Sequence, residues 1–175
     1  MNVYMIGCLH LGHKWMAQFR GFHDEFYHDE KIIDTWNRKV NKRDLVYILG
    51  DITLETSKHY YKLNRLKGRK IVVLGNHDRP QDVKELLNYV DNVAGMVDYK
   101  GCVLTHAPIH PSEVSFCRRN IHAHIHHKNK LPEVYTPERY GEESKIEHPT
   151  LDKYICVDAH LLNYEPKSLI ELGIT

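Results

Sequence analysis

The chain alternates between short apolar runs that stop at glycine and longer stretches in which apolar residues recur every three or four positions. Val3 to Ile6 ends at Gly7, "DLVYILGD" (Asp44 to Asp51) stops at Gly50, and "RKIVVLGNHD" (Arg69 to Asp78) stops at Gly75. Runs this short, apolar at consecutive positions and rich in β-branched or aromatic residues, read as strands buried on both faces. Between them, Ile32, Ile33, Trp36 and Val40 line one face of a helix predicted after His28. Val83, Leu86, Leu87 and Val90 fit the i, i+3, i+4, i+7 spacing of a second helix just after Pro80. Strand, helix, strand, helix implies an α/β layout.

From Met96 the rhythm shortens. The pattern predicts a strand, a turn at Lys100-Gly101, a strand ending at His106, another from Asn120 to His127, and a last one from Lys153 to His160 before a short helix from about Pro166. Lys128 to Thr150 is polar, has three prolines and shows no period; loops of that length in a compact domain are usually functional or disordered. With no repeat, linker or low-complexity boundary, 175 residues suit one domain over residues 1–175.

Composition narrows the function. Lys and Arg number 24 against 23 Asp and Glu, so no overall field favours polyanions or membranes, and any phosphate must be held locally. No apolar run reaches the roughly 18 residues of a membrane span, so no membrane partner is expected. Cys8, Cys102, Cys117 and Cys156 form no CxxC pair, and the N-terminal stretch lacks a signal-peptide pattern. Reduced thiols and a cytoplasmic location are the expectation. The anomaly is 14 histidines, many beside Gly, Asp or Asn, which points to metal.

Five apolar runs end in residues of metal-binding type: Cys8 and His10; Asp51; Asn76, His77 and Asp78; His106; His124 and His126. A lone histidine at a strand end is more often a hydrogen-bonded surface or core residue. Strand ends of an open α/β sheet share one edge, however, so five such endings would converge. One aspartate among imidazoles and an amide carbonyl suits divalent first-row ions. A structural zinc site closes with four ligands, whereas about seven are enough for two ions sharing a carboxylate, with positions left for water and substrate.

"LHLGH", "LGD", "GNHD", "LTHAP" and "HAHIH" stand in the order and at about the spacing of the calcineurin-like metallophosphoesterases, whose pattern is DxH, GD, GNH(D/E), H and GHxH. The chain resembles that family over roughly residues 3 to 165, above all its small one-domain bacterial and bacteriophage members. The resemblance implies a four-layer α/β/β/α sandwich with two central mixed sheets and a dinuclear site at the strand ends. It places His10, Asp51 and His126 on one metal and Asp51, Asn76, His106 and His124 on the other, with Asp51 bridging. It gives His77 the role of protonating or stabilising the leaving oxygen, and Asp78 that of orienting the His77 ring. Cys8 stands where the family usually has the aspartate of DxH; as a thiolate ligand it would favour Zn, Fe or Mn over Mg. Ala123 replaces the glycine of GHxH, and Glu55 after "GD" has no assignment.

Other residues carry two readings. His13 follows Gly12 in a position the nearest relatives share and either hydrogen-bonds phosphate or is structural. Arg20 either reaches a phosphate bidentately or is an ordinary surface arginine. His122 reads as support for the later histidines, and Cys102 and Cys156 as small buried hydrophobes. The leading expectation is a metal-dependent phosphodiesterase acting on a nucleotide or nucleic-acid end through two divalent ions. The alternative is a metal- and nucleotide-binding protein on the same scaffold, its catalysis weakened by Cys8. A zinc-stabilised nucleic-acid-binding module fits the near-zero net charge poorly. Lys128 to Thr150, starting right after His126 and His127, is expected to border the site.

Overall fold

The computed structural model describes residues 1–114, 118–126 and 151–174. Strands β1 (Val3–Ile6), β2 (Leu45–Leu49), β3 (Arg69–Val73) and β4 (Asn92–Ala94) form one sheet in the order β1-β2-β3-β4, parallel throughout. Strands β5 (Val97–Tyr99), β6 (Cys102–Leu104), β7 (Arg119–His122) and β8 (Tyr154–Cys156) form the second in the order β5-β6-β7-β8, with β5 antiparallel and the other three parallel.

The consecutive apolar residues of the first sheet are accounted for by its two covered faces, because successive side chains point to opposite sides. Tyr4, Ile6, Val46, Ile48 and Val72 point to a layer containing Ile32, Ile33, Trp36 and Val40, from helix α2 (Glu25–Lys39) and its end, together with Leu63, Leu86 and Val90. Met5, Leu45, Tyr47, Leu49 and Val73 point the other way and pack with Cys102, Leu104, Ile121 and Ala123 of the second sheet. Helix α1 (Lys14–Phe19) lies against α2, and α3 (Val83–Leu86) adds Leu86 to the outer layer. The expected fourth layer, outside the second sheet, has no α-helix among the described residues. Among those residues, too, no helix is long and apolar enough to cross a membrane.

Several boundaries differ from the pattern. Helix α2 begins before His28, at Glu25, because the Asp24 carboxylate caps it by accepting from the Tyr27 N–H at 3.0 Å. The second predicted helix keeps only four residues as α3, since Asp91 must donate its N–H to Lys70 O (2.8 Å) as the chain enters β4. The predicted helix after Pro166 is instead a bridge in which Lys167 exchanges both backbone hydrogen bonds with Met5, on the open edge of β1, followed by a 3-10 turn at Ile170–Leu172. The sheets meet where Gly7, just past β1, pairs with Asp158, just past β8.

Candidate metal centre

The strands that carry the site are parallel within each sheet, so their C-terminal ends lie at one edge. The loop after β1 runs alongside the loop after β2: Cys8 N donates to Gly50 O (3.0 Å) and His10 N to Asp51 O (2.9 Å). Cys8, His10, Asp51, His124 and His126 all have positive φ, from 50° to 69°. Non-glycine residues in this region are uncommon, with Asp and His among the types that adopt it most readily, and these five lie at the strand-end edge. The glycines of "LGD" and "GNHD" answer to space. A Cβ on Gly50 would lie 2.5 Å from His106 Nδ1, and one on Gly75 would lie 2.3 Å from Asp51 Oδ1.

Two groups of donor atoms result. Cys8, His10, Asp51 and His126 each offer one within 4.8 Å of the others, as do Asp51, His106 and His124, and Asp51 belongs to both. Asn76 joins the second group through Oδ1, 2.9 Å from His106 Nε2, which is also 3.0 Å from His124 Nδ1. His106 Nδ1 lies 2.9 Å from Leu49 O, an oxygen that can only accept, so the neutral ring carries its proton there and turns the Nε2 lone pair toward Asn76, His124 and Asp51. Both ring nitrogens of His10, and Oδ2 of Asp51, are buried without a hydrogen-bond partner. Buried polar atoms are almost always partnered, so His10 Nε2 and Asp51 Oδ2, 3.7 Å apart, fit a cation between them.

Electrostatics agree with lone-pair donors at His10 and His124 and oppose ionisation of Cys8. Burial, reinforced by Arg20 and the surrounding imidazoles, pushes His10 down to about 2, keeping its ring neutral. Burial, then His106, also lowers His124. Burial and the Asp158 and Asp51 carboxylates push the Cys8 thiol well above its ordinary value, and Sγ accepts the His124 N–H at 3.2 Å.

Cys8, His10, Asp51, Asn76, His106, His124 and His126 are thus brought together. The His77 ring stands 5.9 Å from that of His10, and the His77 N–H donates to Asp51 Oδ1 at 3.1 Å. The expected Asp78–His77 contact is a correction. The buried Asp78 carboxylate accepts the N–H groups of Asp51 (2.8 Å), Ile52 (3.0 Å) and Gly75 (2.8 Å), stapling the β2 and β3 loops. His77 Nδ1 lies instead 3.5 Å from Glu55, which had no assignment. Arg20 is corrected too. It is neither on the surface nor open to a phosphate, because its buried guanidinium meets Cys8 O (2.9 Å), His28 Nε2 (3.0 Å) and Asp158 Oδ1 (3.3 Å). His13 caps α1, its Nδ1 accepting the Met16 N–H at 2.8 Å, which leaves the proton of the neutral ring on Nε2. His122 is buried against Ala123 O (2.9 Å) and belongs to neither group. Ala123 packs where Gly7 leaves room, since a Cβ on Gly7 would lie 2.4 Å from its own. His127 and Lys128 to Thr150 lie outside the described residues.

Asp158 was missed. Its Oδ2 accepts from His126 Nδ1 at 2.7 Å, directing His126 Nε2 to the first group. The carboxylate-before-histidine spacing of "VDAH" was the available signal, but it points to the wrong histidine.

A sequence profile of the calcineurin-like phosphoesterases matches residues 1–167. The chain belongs to that family. This calcineurin-like phosphoesterase is 29% identical, over 96% of its length and 87% of the relative's, to an uncharacterized protein of Methanocaldococcus jannaschii. It is 39% identical over 84 residues to the Gene 66 protein of Mycobacterium phage D29, an alignment covering 45% of the chain and only 41% of the phage protein. In fold it is similar to a solved protein of unknown function from Aquifex aeolicus, at TM-score 0.68 and 22% identity, covering 98% of this chain and 97% of that one. Family membership supports hydrolysis of phosphoesters with divalent metal ions.

Proposed function

We propose that this calcineurin-like phosphoesterase hydrolyses phosphodiesters of nucleotides or nucleic-acid ends at a dinuclear centre bridged by Asp51. The observation that carries the reading is Asp51 itself, shared by both donor groups with Oδ2 buried and unpartnered. Cys8, His10, Asp51 and His126 would hold one cation, and Asp51, Asn76, His106 and His124 the other. Bound there, two divalent cations supply Lewis-acid polarisation of the phosphoryl oxygens and an acidified water.

The protein's own groups do the rest. Leu49 O and Asp158 fix the tautomers of His106 and His126 so that lone pairs face the cations. His77, with 28% of its side chain exposed, gives a proton to the leaving oxygen. His13 donates to the phosphate from Nε2–H. The exposed His124 and partly open His77 leave room for a phosphate with a substituent on either side, which favours a diester. Sulfur and imidazole ligands favour Zn, Fe or Mn over Mg.

A second reading, a metal- and nucleotide-binding protein without strong catalysis, has one observation in its favour: burial and two nearby carboxylates oppose ionisation of Cys8. Metal titration of the apo-protein followed by turnover of bis(4-nitrophenyl) phosphate with Mn, Zn, Fe or Mg separates the two. Two ions per chain with turnover supports the first reading, and two ions with no turnover by any metal supports the second. One ion or none defeats the dinuclear centre.

A further inference from the structure

Helix α1 is six residues long and buries only Met16 and Ala17, leaving Lys14, Trp15, Gln18 and Phe19 facing outward. Trp15 and Phe19, one turn apart, stack with centroids 5.3 Å apart and planes 14° from parallel, and Trp15 is 63% exposed. An exposed indole is common enough singly. This one is fastened to the metal centre at both ends of its helix. The N-terminal end is capped by His13, whose ring lies 6.4 Å from Trp15 and 5.9 Å from the metal-binding His10. At the other end Arg20 is tied to Cys8 O and to Asp158, the carboxylate that orients His126. The indole is therefore held in register with the donor atoms, two ring contacts away from His10, with the exposed Lys14 beside it.

We infer that Trp15, backed by Phe19, is the base-stacking platform of the substrate site, receiving the nucleobase of a nucleotide whose phosphate is held at the metal centre. This rests on the phosphoesterase reading and gives the nucleoside of that substrate its own binding surface. Flat π faces stack on any base, so the platform selects nucleosides over other alcohols without reading sequence. The geometry favours a base over a protein partner because the surface offered is a single stacked pair joined to His10 through the His13 ring.

The test uses the metal-loaded full chain and two substrates with the same leaving group, thymidine 5′-(4-nitrophenyl) phosphate and methyl 4-nitrophenyl phosphate. Trp15→Ala should lower kcat/KM on the thymidine ester by roughly 5- to 150-fold more than on the methyl ester, the range that base–aromatic stacking provides. Trp15→Phe should recover most of the difference. Fluorescence gives a readout independent of turnover. The chain has two tryptophans, and Trp36 is fully buried, so emission from the exposed indole reports Trp15. Adenosine 5′-monophosphate should quench it, and ribose 5-phosphate should not. Equal losses on both esters, or equal quenching by both phosphates, would overturn the platform while leaving the phosphoesterase reading intact. Quenching by the nucleotide in a protein that hydrolyses neither ester would support the platform and overturn the catalytic reading.

Discussion

His126 Nδ1 lies 2.7 Å from Asp158 Oδ2, and the other oxygen of that carboxylate lies 3.3 Å from Arg20 Nη2. The chain of contacts continues inward. Arg20 Nη1 meets His28 Nε2 (3.0 Å), His28 Nδ1 meets Asp29 (3.0 Å), and Asp29 accepts Lys62 Nζ (2.5 Å) and the Gly12 N–H (2.9 Å). Burial raises the Asp158 carboxyl, but His126 and Arg20 outweigh it and hold it below its ordinary value, so it remains an anion behind the ligand.

Asp158→Asn should therefore weaken the cation held by His10 and His126 by about 10- to 100-fold, the usual cost of losing a carboxylate behind a ligating imidazole. The cation held by His106 and His124 should keep its affinity. Competition titrations that resolve the two sites check this, and equal weakening of both would mean that Asp158 supports the fold rather than the ligand. Asp158→Ala should also leave Arg20 buried and unpaired, costing about 3 to 5 kcal/mol of stability, read by denaturant unfolding of the apo-protein.

Neighbouring residues in "GNHD" should behave differently. His77→Asn should leave metal content intact and lower turnover by roughly 10²- to 10⁴-fold on poor leaving groups, less on nitrophenolate. Asp78→Ala strands three buried backbone N–H groups, each costing about 1 to 3 kcal/mol when unsatisfied. It should lower the melting temperature and metal affinity together. A stable Asp78→Ala protein with normal metals and a selective loss on poor leaving groups would restore the direct His77–Asp78 relation.

What the sequence showed of this site follows from which constraints are local. Gly50 and Gly75 are required because their Cβ positions are occupied by His106 and Asp51, so "LGD" and "GNHD" carry the site in their spelling. Buried strands β1, β2 and β3 are apolar at consecutive positions because both faces are covered. Arg20, His28 and Asp29 give no such signal, since their partners share no spacing: Cys8 O and Asp158 for Arg20, Arg20 and Asp29 for His28, and Lys62 and the Gly12 N–H for Asp29. His122 stands apart from His124 and His126 because β7 ends at His122 and the backbone then enters positive φ at His124 and His126. Helix α1 and strand β4, of six and three residues, are too short for periodicity to register.

Acid should loosen the far end of the molecule. Glu171 lies beside Lys39, which also meets Glu165 at 2.7 Å. Burial raises the Glu171 carboxyl, but the Lys39 and Ser168 hydrogen bonds outweigh it and take it to about 2 from an ordinary 4.5. A depressed folded value means stability that is present above 4.5 and lost as the pH falls toward 2. With 38% of the side chain exposed, solvent screening keeps the effect small. Glu171→Gln should melt slightly below the wild type at neutral pH, and the two should converge near pH 2. A difference that stays constant across the titration would mean that the charge is not its source.

As a ligand, Cys8 would set which ions the first group prefers. The residue is fully buried at φ 53°, its sulfur within 4.8 Å of donor atoms from His10, Asp51 and His126, so it either ligates or merely packs. A metal-bound thiol is deprotonated and supplies the same single negative charge as the aspartate usual at this position. The difference is softness and length: sulfur disfavours Mg, and its bond to zinc is roughly 0.2 to 0.3 Å longer than one to nitrogen or oxygen. Cys8→Asp should keep two ions per chain and move preference toward Mn and Mg, while Cys8→Ala should weaken only the ion shared with His10 and His126. The wild type should also lose activity to peroxide faster than Cys8→Asp does, because sulfur can be oxidised and carboxylate cannot. Metal stoichiometry, metal preference and oxidant sensitivity that are all unchanged in Cys8→Ala would make Cys8 a packing residue and leave His10, Asp51 and His126 to hold that ion alone.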